Sequence, residues 1–232
     1  FLFSNYSASG DGGILPMIIT TLYTVVVSIV VATPIGILAA IYLQEYAKKG
    51  KAVTAIRFAT ESLSGIPSIV YGLFGGIFFV VTLKMGYSIV AGSLTVAIII
   101  LPVIIRTTEE ALKTVPQAYR ESSLALGATK FQTLYKVVLP SAIPGILSGV
   151  ILSVGRIIGE SAAILLTAGT VAKMPGGIFD SARTLTVHSY LLTKESGDIA
   201  TAASIGIVLI VIVLALNMLA RFVAKKLNKA NY

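Results

Sequence analysis

Five long apolar stretches constrain this chain more than any other feature of its sequence. Each is long enough to cross the hydrocarbon core of a bilayer, which takes roughly 20 helical residues. With 56% hydrophobic and 12% charged residues in a chain of 232, a soluble fold could not cover so much apolar surface. The sequence therefore predicts an all-α, polytopic transmembrane helical bundle. The predicted spans are residues 14–43, 63–83, 88–105, 142–171 and 199–222.

The distribution of basic residues predicts the orientation of these spans. Thirteen Lys and Arg residues fall in the loops on one side and in the C-terminal tail, four fall on the other side, and Arg156 lies within a span. Cytoplasmic loops are enriched in Lys and Arg. We therefore expect a multi-pass protein of a prokaryotic cytoplasmic membrane, with the N-terminus of this chain outside and its C-terminus in the cytoplasm. The net charge of +8 follows from this asymmetry, and no nucleic-acid partner is expected.

The same pattern divides the chain into three parts. Residues 1–13 form an external segment, and an upstream span is expected to be missing because the chain begins without methionine. Residues 14–223 form the transmembrane domain, which includes a polar cytoplasmic segment at 107–140. Residues 224–232 form a basic cytoplasmic tail, for which contact with anionic lipid headgroups is expected.

The polar segment has the sequence pattern of two short helices. Pro116 suits the first turn of a helix, and Gly127 suits the left-handed position that follows a helix end. Thr129 can cap a second helix over residues 130–138, and Pro140 is expected to separate that helix from the next span. Such a pair of helices has the form of a docking element, and a solvated linker is the alternative interpretation.

Residues 120–140, RESSLALGATKFQTLYKVVLP, resemble the EAA loop of ABC-importer permeases. That loop has Glu-Ala-Ala, three residues, Gly, nine residues, Ile, one residue and Leu-Pro, and every spacing agrees. Ser replaces both alanines and Val replaces Ile. The resemblance implies that the segment is a coupling helix seated on a cytoplasmic ATPase, that Glu121 contacts the ATPase and that Gly127 permits the tight turn. The matching residues are Glu121, Ser122, Ser123, Gly127, Val137, Leu139 and Pro140.

Two span motifs and one run in an external loop resemble a narrower branch of these permeases. Residues 65–76, GIPSIVYGLFGG, place Pro67 at the start of the second span, and the four-residue spacing of Gly72 and Gly76 predicts close helix packing. By resemblance this run is similar to phosphate-importer permeases. The runs GRIIGESAAILLTAG and TLTVHSYLL are similar to the A-type permease subunit of that branch.

The resemblance implies an importer permease of the ABC type that moves inorganic phosphate. Its implied partners are a homologous second permease, two ATPase subunits that use ATP and magnesium, and an extracytoplasmic phosphate-binding protein. Permeases for sulfate, molybdate or tungstate, and the sister C-type phosphate permease, remain alternatives. A secondary transporter with an ion relay and a membrane scaffold are the alternatives from other classes.

Arg156 and Glu160 are the candidate residues of the substrate path. Both fall within the predicted fourth span, where charged side chains are costly and usually functional. Their spacing predicts one helical face, on which Arg156 would contact anion oxygens and Glu160 would orient it; a purely structural ion pair is the alternative. No phosphate-cradling Gly-Lys-Ser/Thr loop, catalytic triad or metal-ligand cluster occurs in the sequence. We therefore expect neither an enzyme nor a cofactor in this chain.

Overall fold

The protein is helical throughout the residues that its computed structural model describes, which are 2, 4–6, 13–48 and 50–229, with side chains up to 222. The expected N-terminal segment therefore lies mostly outside the described residues, and the backbone of the expected basic tail is described as far as residue 229. The helices are α1 (Leu15–Tyr46), α2 (Lys51–Ser64), α3 (Ser68–Thr82), α4 (Ile89–Thr114), α5 (Gln117–Ala125), α6 (Lys130–Gly159), α7 (Ala162–Leu165), α8 (Leu185–Leu191) and α9 (Ile199–Lys229).

Four of the described helices are long and apolar enough to cross a membrane, namely α1, α4, α6 and α9, and α2 with α3 would make a fifth span. The prediction of one straight span over 63–83 is wrong in detail. Helix α2 ends at Ser64, and α3 begins after Pro67 at 99° to it. Pro67 has an extended ψ of 138°, so the chain turns here before the apolar helix begins.

Helices α1 and α4 run in the same direction and form the centre of the bundle. Gly36 of α1 leaves no room for a Cβ against Ile104 of α4, and the Ser28 hydroxyl donates to the backbone oxygen of Ser93 at 2.9 Å. The Thr20 hydroxyl, which is also buried, donates to the carbonyl four residues earlier in its own helix. These bonds satisfy polar groups that would otherwise be costly in an apolar interior.

The predicted fourth span of 142–171 is interrupted. Helix α6 ends at Gly159, and Glu160 has extended backbone angles of φ −77° and ψ 127°. The Glu160 carboxylate then accepts a hydrogen bond from the Ala163 backbone at 3.2 Å, which caps the short helix α7. Beyond α7 the chain packs on the start of α4, where the Ser88 backbone donates to Thr167 at 3.2 Å. The apolar run therefore contains a turn that its hydropathy conceals.

Gly72 and Gly76 lie on the face of α3 that packs against this turn. A Cβ at Gly72 would lie 2.8 Å from the Cα of Ala163, and one at Gly76 would lie 3.2 Å from the Leu166 oxygen. Both neighbours are backbone atoms, which cannot move aside as a flexible side chain can. The two glycines therefore allow α3 to approach the backbone of α7 and the residue that follows it.

We expect Gly72→Ala to destabilise the protein, because the added methyl group meets the backbone of α7. Overpacking of this kind costs on the order of 1–3 kcal/mol, so the thermal midpoint in detergent should fall measurably. Gly206→Ala in α9 is the matched control, since a Cβ there meets nothing within 4 Å. Equal midpoints for the two variants would contradict the close approach.

Candidate functional site

The polar segment forms a helix-turn-helix projection, which we call the knuckle and define as residues 116–138. Helix α5 follows Pro116, and Gly127 after it has a φ of +86°, the left-handed conformation that its sequence position predicts. Thr129 caps α6 with a complete capping box: its hydroxyl accepts from the Gln132 backbone, and the Gln132 side chain accepts from the Thr129 backbone. The two short helices expected here are therefore present, and the second begins where the sequence predicts.

Pro140 does not separate the second knuckle helix from the following span, which corrects the prediction. The chain passes through a π-helical turn over Leu134–Val138, and the α-helix resumes at Leu139. Pro140 then occupies a position near the start of this α-helical stretch, where a missing backbone N–H is tolerated. As a result α6 is one element of 30 residues that begins in the knuckle and ends at Gly159.

The outer face of the knuckle is apolar and open. Leu126, just after α5, is 89% exposed, and Glu121 on α5 is exposed as well. The aromatic rings of Phe131 and Tyr135 are stacked with centroids 6.4 Å apart. An exposed apolar patch of this kind is typical of a protein-interaction surface. The large exposed apolar side chains of the knuckle outside the inner cavity are Tyr119, Leu126, Phe131 and Tyr135.

A cavity of about 490 Å³ lies between α2, α4 and α6, and we call it the charged cavity. Four cationic and three anionic side chains line it. Gly149 of α6 packs on Thr107 of α4, and Arg156 lies seven residues further along α6, so Arg156 lies at the Pro102 end of the cavity, away from Lys113, with an exposed side chain. The charged lining residues are Arg57, Glu61, Arg106, Glu109, Glu110, Lys113 and Arg156.

Ion pairs neutralise most of this lining. The buried carboxylate of Glu109 accepts from the guanidinium of Arg57 at 2.9 Å, which ties α2 to α4. Arg106 pairs with Glu110 at 3.1 Å, as its spacing on α4 predicts, and approaches Glu61 at 3.8 Å. Glu109 is three residues from Arg106, a spacing that would also allow a pair within α4, but its side chain faces Arg57 of α2 instead.

Arg156 and Glu160 do not form the pair that their spacing predicts. The helix ends between them, so the four-residue periodicity is lost, and the Glu160 carboxylate caps α7 instead. The Thr186 hydroxyl also donates to the Glu160 backbone oxygen at 2.9 Å. Among the described residues Arg156 has no carboxylate within 4 Å. The structure therefore gives Glu160 a capping role and leaves Arg156 exposed to the charged cavity.

Sequence reasoning missed the contribution of α2 to this cavity. Arg57 and Glu61 are four residues apart and thus share one face of α2, but a short helix crossing α4 was not predicted. Lys113, in the last turn of α4, was interpreted as a loop charge, although it lines the charged cavity. Arg57 and Lys113 were counted only as signals of orientation, and no role was predicted for Glu61. No cluster of three His, Asp or Glu side chains suited to a metal is found in the described part of the chain.

Comparison with known proteins decides the family. Residues 32–229 match the family of binding-protein-dependent transport system inner membrane components. The chain belongs to this family. The permease is thus a membrane subunit of a transport system and not an enzyme, as the sequence predicts, and its all-helical, multi-pass architecture is that of the family.

The permease is similar to two curated proteins over most of its length. It is 36% identical to a probable ABC transporter permease, YqgI of Bacillus subtilis (strain 168), with 95% of this chain and 81% of that protein covered. It is also 36% identical to the phosphate transport system permease protein PstA of Mycobacterium leprae (strain TN), with 89% of this chain and 69% of that protein covered.

Solved structures support the fold. A chain of the methionine ABC transporter MetNI, in an inward-facing crystal form, superposes with a TM-score of 0.70 and covers 93% of the permease and 94% of that chain. The sequence identity is 20%, so this likeness concerns the fold alone. The bundle described above is therefore a known permease architecture.

Proposed function

We propose that the permease is the A-type membrane subunit of an ATP-driven importer of inorganic phosphate. The assignment of phosphate as the substrate rests on the similarity to permeases named for phosphate transport, at 36% identity over 210 residues in the example above. The chain would work with a homologous second permease, two ATPase subunits and an extracytoplasmic phosphate-binding protein. ATP and magnesium would be used by the ATPase chains.

The charged cavity supplies chemistry suited to an oxyanion. Arg156 and Lys113 line it without a carboxylate partner among the described residues, so their positive charge is available to an anion. A guanidinium presents a planar set of donors that matches phosphate oxygens. The ion pairs around Arg156 and Lys113 limit the positive potential in the cavity, which favours weak binding of the anion and its release. Arg156 is therefore the residue that we assign to the anion path.

The knuckle is the surface that we assign to the ATPase. Its exposed apolar face carries Leu126 and the Phe131–Tyr135 ring pair, and Glu121 is an exposed charge on the same knuckle. Apolar and aromatic side chains with one charged neighbour are the usual composition of an interaction surface. Gly127 forms the turn between the two helices of this surface. Leu139 and Pro140 directly follow the knuckle in α6.

The proposed function is tested by reconstituting the permease with its partner subunits in lipid vesicles. Labelled inorganic phosphate and the binding protein are supplied on one side, and ATP is supplied on the other. We expect uptake that requires ATP and that excess unlabelled phosphate suppresses. If unlabelled sulfate, molybdate or tungstate suppressed the uptake and unlabelled phosphate did not, the substrate would be that other oxyanion. Uptake driven by a proton gradient without ATP would overturn the importer and favour a secondary transporter.

We expect the knuckle to face the cytoplasm. The chain contains no cysteine, so a single introduced thiol reports its own position. A cysteine at Ser122, exposed on α5, should react with a membrane-impermeant thiol reagent only from the cytoplasmic side. One at Ser196, also exposed, should react only from outside. The reverse labelling pattern would overturn the proposed orientation.

A further inference from the structure

Arg120 lies on α5 but points away from the exposed face of the knuckle. Its guanidinium donates three hydrogen bonds, to the backbone oxygens of Val115 at 2.6 Å and Leu112 at 2.8 Å and to the carboxylate of Glu45 at 2.9 Å. The side chains of Arg120 and Glu45 are 14% and 18% exposed. One cation therefore joins α5 to the end of α4 and to the end of α1.

The two carbonyl acceptors are open because of the local sequence. In a continuing helix the Leu112 oxygen would accept from the residue four positions later, but that residue is Pro116, which has no N–H. Helix α4 ends at Thr114, and Val115 has an extended ψ of 120°. The last carbonyls of a helix also carry its negative partial charge. A guanidinium is thus a well-matched partner for this helix end.

The second knuckle helix reaches the same place on α1. Glu45 lies in the π-helical turn Tyr42–Tyr46 at the end of α1, and the Lys130 ammonium donates to the Glu45 backbone oxygen at 3.3 Å. That ammonium also lies 5.7 Å from the centre of the Tyr46 ring. Both helices of the knuckle therefore hold the end of α1. A second cavity of about 450 Å³ lies beside these contacts, and next to it Leu134 and Val138 of the knuckle pack with Leu112 and Val115 at the end of α4.

We propose that Arg120 is a positioning residue that makes α1 and α4 follow the knuckle when the ATPase moves it. The second knuckle helix continues directly into α6 and packs on the end of α4 through Leu134 and Val138. Helix α5, in contrast, is joined to the ends of α1 and α4 by the hydrogen bonds of Arg120. Without the guanidinium, a displacement of α5 would be transmitted less completely to α1 and α4. Arg120 thus converts the movement of one segment into the movement of three helices. This inference rests on the proposed ATPase-facing role of the knuckle.

The test uses the reconstituted complex with the variants Arg120→Gln, Arg120→Lys and Glu45→Gln. We expect each variant to retain its ATPase, because Arg120 and Glu45 lie behind the docking face, and to hydrolyse ATP near the wild-type rate. For Arg120→Gln, phosphate moved per ATP should fall about tenfold, since charge-assisted hydrogen bonds are lost. Arg120→Lys and Glu45→Gln keep part of the hydrogen-bond network, so the phosphate moved per ATP should fall about threefold in each.

Spin labels at Lys48 and Ser122 supply a second measurement, which does not depend on transport. Both positions are exposed, and they report the end of α1 and the knuckle. We expect the distance distribution between them to be narrow in the otherwise wild-type chain and broader with Arg120→Gln. Lys51→Gln is the matched control for loss of a cytoplasmic charge and should change neither measurement.

The proposal is overturned if Arg120→Gln moves as much phosphate per ATP as Lys51→Gln does. It is also overturned if the variant loses its ATPase, which would make Arg120 a docking residue. A wild-type complex that takes up no phosphate would contradict the proposed function instead. The distances between the spin labels would then test the role of Arg120. A distance distribution that Arg120→Gln leaves unchanged would overturn the proposal.

Discussion

Arg156→Gln is expected to leave the permease assembled with its partners but to abolish most phosphate uptake. The side chain lines the charged cavity and has no carboxylate within 4 Å among the described residues. Its charge is therefore available to a passing anion rather than committed to the fold. Hydrogen bonds between charged groups contribute about 1.5–3 kcal/mol, which corresponds to roughly a 10- to 100-fold loss of rate.

Arg156→Lys should restore only part of this uptake. An ammonium keeps the charge but lacks the planar donor fork that matches two oxygens of one anion. Uptake is measured with labelled phosphate in vesicles, and the amount of co-purifying partner subunits reports assembly. Lys51→Gln, which removes a charge from the exposed start of α2, serves as the control. Wild-type uptake by an assembled Arg156→Gln complex would show that the anion path lies elsewhere.

Gly127→Val is expected to uncouple ATP hydrolysis from uptake or to release the ATPase. At a φ of +86°, a β-branched residue is strained by about 1–3 kcal/mol, and the knuckle can relieve that strain only by changing its turn. A Cβ at this position meets no atom within 4 Å, so the cost comes from the backbone and not from packing. Co-purification of the ATPase and the ratio of phosphate to ATP measure the result.

Gly127→Asn separates the backbone effect from the loss of glycine itself. Asn tolerates the left-handed conformation better than any β-branched residue, so this variant should retain most of the coupling. Equal behaviour of the Val and Asn variants would contradict a role for the positive φ. Normal uptake and ATPase recovery with Gly127→Val would remove the coupling assignment from the knuckle.

The knuckle was predictable because its signals are local. The positive φ of Gly127 and the helix cap at Thr129 depend on a few neighbouring residues, and both appear in the structure as the sequence predicts. The effect of Pro140 was not predictable in the same way. A proline near the start of a helical stretch can be accommodated there, and the π-helical turn before it keeps α6 continuous.

The site was less predictable, because its geometry depends on contacts between distant segments. The spacing of Arg156 and Glu160 indicates a shared face only while the helix continues, and nothing in the apolar run after them marks its end. Likewise, Glu109 faces Arg57 because α2 crosses α4, and a 99° bend cannot be read from hydropathy. The bundle could thus be predicted in outline, while the pairing of its charges could not.

Because α6 is one continuous helix from the knuckle to Gly159, a small tilt at its knuckle end produces a larger displacement at its other end. Arg156 is 26 residues beyond Lys130, which at about 1.5 Å per residue places the two roughly 39 Å apart along the axis. A rigid tilt of about 5° around the knuckle end would therefore carry Arg156 sideways by roughly 3 Å, comparable to the length of a hydrogen bond. A slight rocking at the ATPase surface is thus sufficient to bring a guanidinium onto an anion or to withdraw it.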